Sequence, residues 1–306
     1  MDKPENPECM PEKKSVAVYD LAGRRTKTIG VIVPKLDSHF ITSALKGIQK
    51  VITERGYDII ITHSQESLEK EAANARMLFD RRVDGLLASL SVGTKDTAHF
   101  APFADNHIPV VFFDRVERAC SNGTVVIDNA GCGFLATEHL VRQGCKRIAI
   151  ITSDLERDVY AQRYKGFRKA LEQYDIAFSD DLLITASMDN NDGTAAARQV
   201  LQLRPLPDGL FITNDMAAAL CMHTLNEAGI RVPDDIAIVG FNNDPVGRLI
   251  SPALTTIDYP GFEIGCTAAA SLLDHLSGRK RAEPRRSAVV PSALIIRGSS
   301  LRCQAS

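Results

Sequence analysis

Two kinds of segment alternate along the chain from residue 28 onward, and this alternation limits the possible folds more than any other feature. Short apolar runs rich in β-branched residues read TIGVIVP, YDIIITHS, DGLLASL, IPVVFFD, TVVID, RIAIIT, DGLFIT and DIAIVGF. Stretches with the apolar spacing of amphipathic helices lie between most of these runs. Short, almost wholly apolar strands that alternate with amphipathic helices predict an α/β fold with parallel sheets covered on both faces.

Two of the helical stretches show their buried faces clearly. The face predicted for ITSALKGIQKVITERG consists of Ile41, Leu45, Ile48 and Ile52. The face predicted for GFLATEHLVRQG consists of Phe134, Leu135, Thr137 and Leu140, with Gly144 as the C-cap. About nine strand–helix units exceed what one sheet of roughly six strands can hold. We therefore expect two sheets in tandem, with the change of sheet around residues 145 to 151.

The composition excludes several classes of protein. The 306 residues are 44% hydrophobic and 24% charged, which leaves room for one large domain or two medium ones. The net charge of −2 argues against a body built to bind a polyanion, and no apolar run approaches the roughly 20 residues that span a bilayer. The chain starts without the apolar stretch of a secretory signal, and its seven cysteines form no C-x-x-C pair. We expect buried thiols, a cytoplasmic protein, no membrane partner and no metal or cofactor.

Polar and aromatic residues gather where the predicted strands end. Ligands of doubly wound sheets bind at the carboxyl ends of the strands, so these residues are candidates for a binding site. Groups that can each make two hydrogen bonds suit a small ligand rich in hydroxyls. Two alternatives stay open at this point: Asp215 could be a helix N-cap, and Asp114 could simply pair with Arg115. The candidates are Asp37, His39, Phe40, Asp114, Arg115, Ser153, Asp154, Asn214, Asp215, Phe241, Asn242 and Asn243, with Arg163 in a following helix.

A glycine pattern offers a competing interpretation. The stretch NAGCGFLA contains G-x-G-x-x-A with glycines at Gly131 and Gly133, and Asp154 follows about 20 residues on, as in a dinucleotide-binding fingerprint. Three residues separate these glycines from the strand, however, and the pattern lies in mid-chain, so close packing of a helix on the sheet is favoured. His63 and His139 are expected on surfaces, and no nucleophile stands beside a base. The sequence therefore predicts a binding protein rather than an enzyme.

Nine stretches carry a resemblance to a known family. They are TKTIGVIVP, RRVDGLLAS, IPVVFFDR, VVIDNAGCGFLATEHLVRQGCKRIAIIT, QRYKGFRKAL, FITNDMAAAL, VPDDIAIVGFNN, SPALTTID and LIIRGSS. In order and spacing they resemble the hinge and effector-binding core of the lactose-repressor/galactose-repressor (LacI–GalR) family of bacterial transcription regulators. The resemblance implies a periplasmic-binding-protein-like fold, in which two doubly wound parallel-sheet subdomains enclose a ligand cleft.

The resemblance also implies a division of the chain. Residues 1–26 would form a flexible tail and hinge-like segment. Residues 27–145 and 258–291 would form the N-terminal subdomain, and residues 146–257 and 292–303 the C-terminal one. The chain would cross between the two subdomains three times.

By the same resemblance, five residues match known cleft positions. Phe40 matches the aromatic that packs on the ligand, and Asp114 and Arg115 match a pair that contacts sugar hydroxyls in sugar-binding members. Arg163, expected on a helix surface, matches the arginine that grips the effector. Asn214 matches the cleft asparagine.

Three cleft positions depart from the family pattern. Asn242 stands where an aspartate is usual, Tyr259 where a glutamine is common, and Met188 about where an aromatic platform is expected. A missing carboxylate removes an acceptor for paired hydroxyls. A sugar derivative, or an anionic ligand balanced by Arg115 and Arg163, therefore becomes a candidate beside the usual pentose or hexose.

The lead-in VAVYDLAGRR matches the family's hinge helix. Leu21 occupies the position that wedges into the DNA minor groove, and Arg24 and Arg25 would lie near phosphates. The 14 residues before Ser15 contain three prolines and are not expected to form the family's helix-turn-helix headpiece. We expect operator DNA as a partner only where a headpiece is present.

The segment DPVGRLISPAL points to self-association. It leaves Val246, Leu249 and Ile250 with little helix to bury them, and in the family this edge contributes to a side-by-side dimer, so a two-fold homodimer is expected.

The function implied by the resemblance is the effector-binding and dimerisation core of a transcription regulator that senses a small sugar-like ligand. A solute-binding protein for sugar or nucleoside uptake and, more remotely, a dinucleotide-binding enzyme are the alternatives.

Overall fold

Two six-stranded sheets organise the protein. The computed structural model describes residues 25–91, 93–117, 123–156, 158–186, 192–277 and 287–302. The first sheet is parallel throughout, with the order β11-β5-β4-β3-β1-β2. Its strands are β1 Thr28–Val33, β2 Asp58–His63, β3 Gly85–Ala88, β4 Val110–Phe113, β5 Gly123–Val126 and β11 Ala288–Val289.

The second sheet has the order β12-β10-β9-β8-β6-β7 and is parallel except for its last strand, β12, which runs antiparallel to β10. Its strands are β6 Ile148–Thr152, β7 Leu183–Thr185, β8 Gly209–Ile212, β9 Ala237–Asn242, β10 Thr255–Asp258 and β12 Leu294–Ile295. All eight predicted strands are present. Four strands, β7, β10, β11 and β12, escaped prediction because they are only two to four residues long.

Nine α-helices are found among the described residues, and they divide the molecule into two lobes. They are α1 His39–Glu54, α2 Leu68–Asp80, α3 Ala101–Asp105, α4 Asn129–Arg142, α5 Asp158–Gln173, α6 Asp192–Gln202, α7 Asp215–Glu227, α8 Val246–Leu249 and α9 Gly261–Leu276. The first lobe comprises the first sheet with α1, α2, α3 and α9, and the second lobe comprises the second sheet with α4 to α8. The predicted fold class, with two mainly parallel α/β sheets, is confirmed.

Both lobes contain helices that cross in direct backbone contact; the closest pairs are α1 with α9 and α4 with α5. A Cβ atom on Gly166 would overlap the carbonyl oxygen of Ala130, and one on Gly265 would overlap that of Ala44. Gly47 and Gly133 lie on the partner helices and are equally close to opposing backbone. Glycine is needed at these positions because any side chain would force the helices apart. The G-x-G pattern thus serves packing, although of helix on helix rather than of helix on sheet.

This crossing explains where the predicted helix faces were right and wrong. In α1, Ile41, Ile48 and Ile52 are buried as predicted, and Leu45 is partly buried. In α4, by contrast, Leu135 is 40% exposed. The inner face of α4 is built from small residues because α5 lies so close, so the larger side chain turns outward.

The chain passes between the lobes three times, after β5, after β10 and between β11 and β12. The first passage falls just before α4, whose glycine contacts hold it against α5 and the second sheet. The expected boundary at residue 145 would instead place α4 in the first lobe.

Candidate functional site

A cavity of about 730 Å³ lies between the lobes, at the carboxyl ends of both sheets. Residues that follow four different strands reach it: His39 and Phe40 after β1, Asp114 after β4, Ser153 after β6 and Asn214 after β8. Parallel strands present their carboxyl ends at one edge, and here the two edges face each other across the cavity. Most of the candidates predicted from the strand ends therefore line this one cavity.

Asp114 is the buried acceptor on the first-lobe side. Its side chain is 6% exposed, and it accepts hydrogen bonds from the hydroxyls of Ser89 (3.2 Å) and Tyr259. Its backbone φ of 61° lies in the left-handed region, which aspartate tolerates better than most residues. The carboxylate is thus held in place by neutral donors at the edge of the cavity.

Tyr259 joins the two lobes at the base of the cavity. It follows β10 of the second sheet, yet its ring stacks on Phe40 of α1 with the ring centroids 4.1 Å apart. Burial, and then the charge of Asp114, raises the pKa of the Tyr259 phenol well above its ordinary value. The phenol therefore remains a hydrogen-bond donor to Asp114, and the aromatic pair forms an apolar surface beside it.

Arg115 pairs with Glu66, not with Asp114. Its guanidinium donates to both carboxylate oxygens of Glu66, at 2.8 and 3.0 Å. Glu66 comes from the turn after β2 and also lines the cavity. This two-point geometry fixes the orientation of the guanidinium.

Arg163 is buried, with only 3% of its surface exposed, and is not the helix-surface residue we expected. It donates to the side-chain oxygen of Asn129 (2.9 Å) and to the carbonyl oxygen of Thr213 (3.2 Å). Its guanidinium lies 3.6 Å from the ring centroid of Phe241. Arg163 lies on α5, close to the point where Gly133 and Gly166 bring α4 and α5 together, and its side chain forms part of the cavity wall.

Asn214 and Asp215 have different roles at the start of α7. Asn214 lines the cavity and is also the helix N-cap, since its side chain accepts from the backbone N–H of Ala217. Asp215 is fully buried and is not the cap; it accepts from the Thr256 hydroxyl (2.7 Å) and the Asp244 backbone N–H (2.8 Å). Burial raises the pKa of Asp215 to about 7.

The turn after β9 also separates the candidates. Asn242 lines the cavity, whereas Asn243 points away and bonds to Asp258 (2.9 Å) and Arg297 (2.7 Å). Phe241 is buried under Arg163.

Of the residues implied by the family resemblance, Met188, Leu21 and Arg24 lie outside the described residues. Arg25 is described: it is exposed and donates to the carbonyl oxygen of Leu276 (2.7 Å).

The sequence analysis missed several residues that line the cavity, among them Glu66, Tyr160 and Asp244. Glu66 lies three residues after β2, and Asp244 two residues after β9. A search for polar residues in the first three positions after every predicted strand would have found both. Tyr160 lies in the first turn of α5, where no strand-end signal points to it.

The dinucleotide interpretation is not supported by the geometry at α4. The Asp128 carboxylate caps this helix by accepting from the backbone N–H of Gly131 (2.8 Å). A pyrophosphate would need that same position at the helix N-terminus. Gly133 faces the backbone of Arg163 and has no space for a ligand.

One prediction away from the cavity was wrong. His139 is 7% exposed rather than on the helix surface, because its Nε2 atom bonds to the Ser300 hydroxyl (2.7 Å), which in turn bonds to Thr255 (2.6 Å). His63 is exposed on β2 as expected.

Across the described ranges, no group of histidine, cysteine and acidic side chains could hold a metal ion. In the same part of the chain, no helix is both long and apolar enough to cross a membrane. The four described cysteines are free thiols, three of them buried.

Comparisons with known proteins point in one direction. Residues 137–300 match the family of the periplasmic binding protein-like domain. The HTH-type transcriptional repressor PurR of Escherichia coli O1:K1 / APEC is 31% identical over 278 residues, which cover 90% of this chain and 81% of that protein. The solved complex of the transcriptional regulator CelR with cellobiose is 26% identical, with a TM-score of 0.82, over 90% of this chain and 85% of that one. A LacI family transcriptional regulator from Enterococcus faecium with bound ribose is 27% identical, with a TM-score of 0.79, over 89% of this chain and 98% of that one.

Proposed function

Because this chain belongs to the LacI family of transcriptional regulators, we propose that the cavity between its lobes binds a small polyhydroxylated effector, and that occupancy of the cavity regulates DNA binding. The chain is a regulator rather than an enzyme, in line with the relatives that are named transcriptional repressors.

One observation carries the proposal: both sheets direct hydrogen-bonding side chains into the same cavity of about 730 Å³. Asp114 and Asn214 face it from opposite lobes, and Phe40 provides an apolar face beside them. A sugar carries hydroxyls at its edge and C–H groups on its faces, and this arrangement of polar and apolar groups suits such a molecule. A ligand held from both sides would also favour one relative position of the lobes.

The similar proteins with bound sugars support the same class of ligand. CelR was solved with cellobiose and the Enterococcus faecium regulator with ribose. In this chain the anionic alternative loses support, because Arg115 is paired with Glu66 and Arg163 donates to protein acceptors. A neutral sugar or sugar derivative is therefore the preferred effector.

A calorimetric titration tests the proposal. Wild-type protein is titrated with ribose, glucose, cellobiose and nucleosides, and with a nicotinamide dinucleotide as the representative of the enzyme alternative. Binding of a sugar or nucleoside and no heat from the dinucleotide is the expected result. Binding of the dinucleotide alone would refute the proposed function.

Two variants locate the binding in the cavity. Asp114→Asn should weaken binding by about tenfold or more, because a charged acceptor of the ligand's hydroxyls is lost. Asp58→Asn, which alters an exposed carboxylate at the amino end of β2, is the control and should bind like the wild type.

We also propose that the chain forms a two-fold homodimer. The segment predicted for this role forms the single turn of α8, and Leu249 at its end is 84% exposed. A second subunit placed against this segment would cover the Leu249 side chain, and two-fold pairing is the commonest arrangement of homo-oligomers. Operator DNA would be contacted through a headpiece, as in the named repressors.

A further inference from the structure

We propose that Asp244 is the acidic anchor of the effector, and that it selects ligands carrying hydroxyl or amino donors over their phosphorylated counterparts. This inference rests on the proposed function of the cavity and adds a residue and a chemical selectivity to it.

Asp244 is a buried carboxylate with too few donors. Its side chain lines the cavity while the residue as a whole is only 9% exposed. One oxygen, Oδ2, accepts a long hydrogen bond of 3.4 Å from the Asn242 amide. The other, Oδ1, is buried and finds no hydrogen-bond partner among the described residues. The large majority of buried side-chain polar atoms in proteins have at least one hydrogen-bond partner, so the unpaired Oδ1 beside a cavity calls for an explanation, and a ligand donor provides one.

The described groups around Asp244 do not supply the missing hydrogen-bond donor. Asp215 lies behind it and accepts from its backbone N–H, so this neighbour directs an acceptor and not a donor toward Asp244. His39, at the start of α1 in the other lobe, interacts electrostatically with the Asp244 carboxylate across the cavity. Burial raises the pKa of Asp244, while Asn242 and His39 act in the opposite direction. A ligand donor between α1 and the β9 turn would supply the missing interaction.

The charges of the whole cavity agree with this selectivity. Five carboxylates line it, against three lysine and arginine side chains. Both guanidiniums already donate to protein acceptors, those of Glu66, Asn129 and Thr213. A phosphate or carboxylate group on the ligand would lie close to the carboxylates of Asp244 and Asp114, which both line the cavity, and like charges repel at such distances. A neutral or protonated amino ligand meets acceptors that suit it.

Matched ligand pairs test the selectivity. Calorimetry compares ribose and glucose with their phosphate esters, glucose with glucosamine, and adenosine with its monophosphate. We expect the wild type to bind the neutral or amino member at least about tenfold more tightly than the phosphorylated one, and Asp244→Asn to bind that preferred member at least about tenfold more weakly. Tighter binding of the phosphorylated member, or equal affinity of Asp244→Asn and the wild type, would overturn the inference while leaving the proposed function intact. If no probe binds the wild type, the proposed function itself fails and the inference with it.

A second measurement needs no ligand. Asp208 is a matched control in the same lobe, at the amino ends of the strands, where both of its oxygens accept from the backbone N–H of Lys146. Asp208→Asn should lower Tm, because it breaks satisfied hydrogen bonds. Asp244→Asn should leave Tm unchanged or raise it, because an under-paired charge is removed. A fall in Tm equal to that of Asp208→Asn would mean a structural role and would overturn the inference.

Discussion

Arg163 links the cavity wall to the interior of the second lobe. It is held by Asn129 on α4 and by the carbonyl oxygen of Thr213 after β8, and its guanidinium lies on the ring of Phe241. Removing the side chain would leave these two acceptors buried and unpaired. At the residue scale, binding and stability therefore depend on the same group.

We predict that Arg163→Ala both weakens effector binding and destabilises the fold. The loss should be roughly 1–3 kcal/mol for each buried acceptor left unpaired. Urea denaturation measures the free energy of unfolding, and Lys165→Ala, exposed on the same helix, is the control that should change it by no more than about 0.5 kcal/mol. An unfolding free energy of Arg163→Ala equal to that of the wild type would contradict the burial described here.

Asp215 gives a pH-dependent prediction. Its pKa is about 7 in the folded protein and near 4 when unfolded, so only the unfolded chain gives up this proton as the pH rises from about 4 to 7. The contribution of Asp215 to stability is fully present below pH 4 and is lost as the pH rises toward 7, by up to about 1.4 kcal/mol per pH unit. Asp215→Asn should remove this component from a plot of unfolding free energy against pH.

The asparagine can keep the local contacts. Its oxygen can accept from the Asp244 backbone N–H, and its amide can donate to the Thr256 hydroxyl, as a protonated Asp215 would. Identical pH profiles of the variant and the wild type would show that folding does not shift the pKa of Asp215.

At the scale of elements, the crossings of α1 with α9 and of α4 with α5 are the closest of the glycine-mediated helix contacts. Each brings two backbones together without side chains between them, one in each lobe. Such contacts tolerate no added volume, because a displaced helix would carry its neighbours in the core with it.

Gly166→Ala should therefore destabilise the second lobe by more than the roughly 1–3 kcal/mol typical of overpacking, since the new methyl group would meet the backbone of α4. Gly123→Ala is the matched control: the same change in β5 meets only atoms at 3.8 Å or beyond. Thermal unfolding of both variants checks this, and equal Tm values for the two would argue against the close crossing.

The contact of α4 with β10 and the C-terminal segment through His139 also depends on pH. Burial, and then the charge of Arg142, lowers the pKa of His139, so the folded protein holds it neutral. Its contribution to stability is present above the unfolded pKa of about 6.5 and is lost as the pH falls below that value, because only the unfolded chain takes up the proton there. His139→Gln should flatten the acid side of the stability profile relative to the wild type, with denaturant midpoints measured between pH 5 and 8 as the check.

At the scale of the whole molecule, the division into two lobes follows from the count of strand–helix units, and the position of the site follows from the rule about carboxyl ends. Both could be predicted because apolar strands and the polar residues after them are local signals. The place where the chain changes lobes could not, since it depends on whether α4 packs on its own strand's sheet or on α5. That choice is decided by Gly166, far from α4 in the sequence. The pairing of Arg115 with Glu66, across 49 positions, likewise has no local signal.

The proposed dimer gives a prediction at this scale. Leu249→Glu should convert a dimer into monomers, because a charge would be buried in the interface. Sedimentation velocity at micromolar concentration measures the mass, and Leu135→Glu, at a leucine of 40% exposure on α4, is the control that should remain dimeric. A wild type that sediments as a monomer would refute the dimer outright.

The three passages of the chain between the lobes have a mechanical consequence. Two bodies joined by one flexible tether can tumble freely, whereas three tethers form a linkage whose parts can move along few paths. With Tyr259 in one of those connections and hydrogen-bonded to Asp114, the linkage runs directly under the cavity. A molecule bound in the cavity would therefore favour one relative orientation of the two lobes. The shape of the effector, and not only its affinity, would determine that orientation.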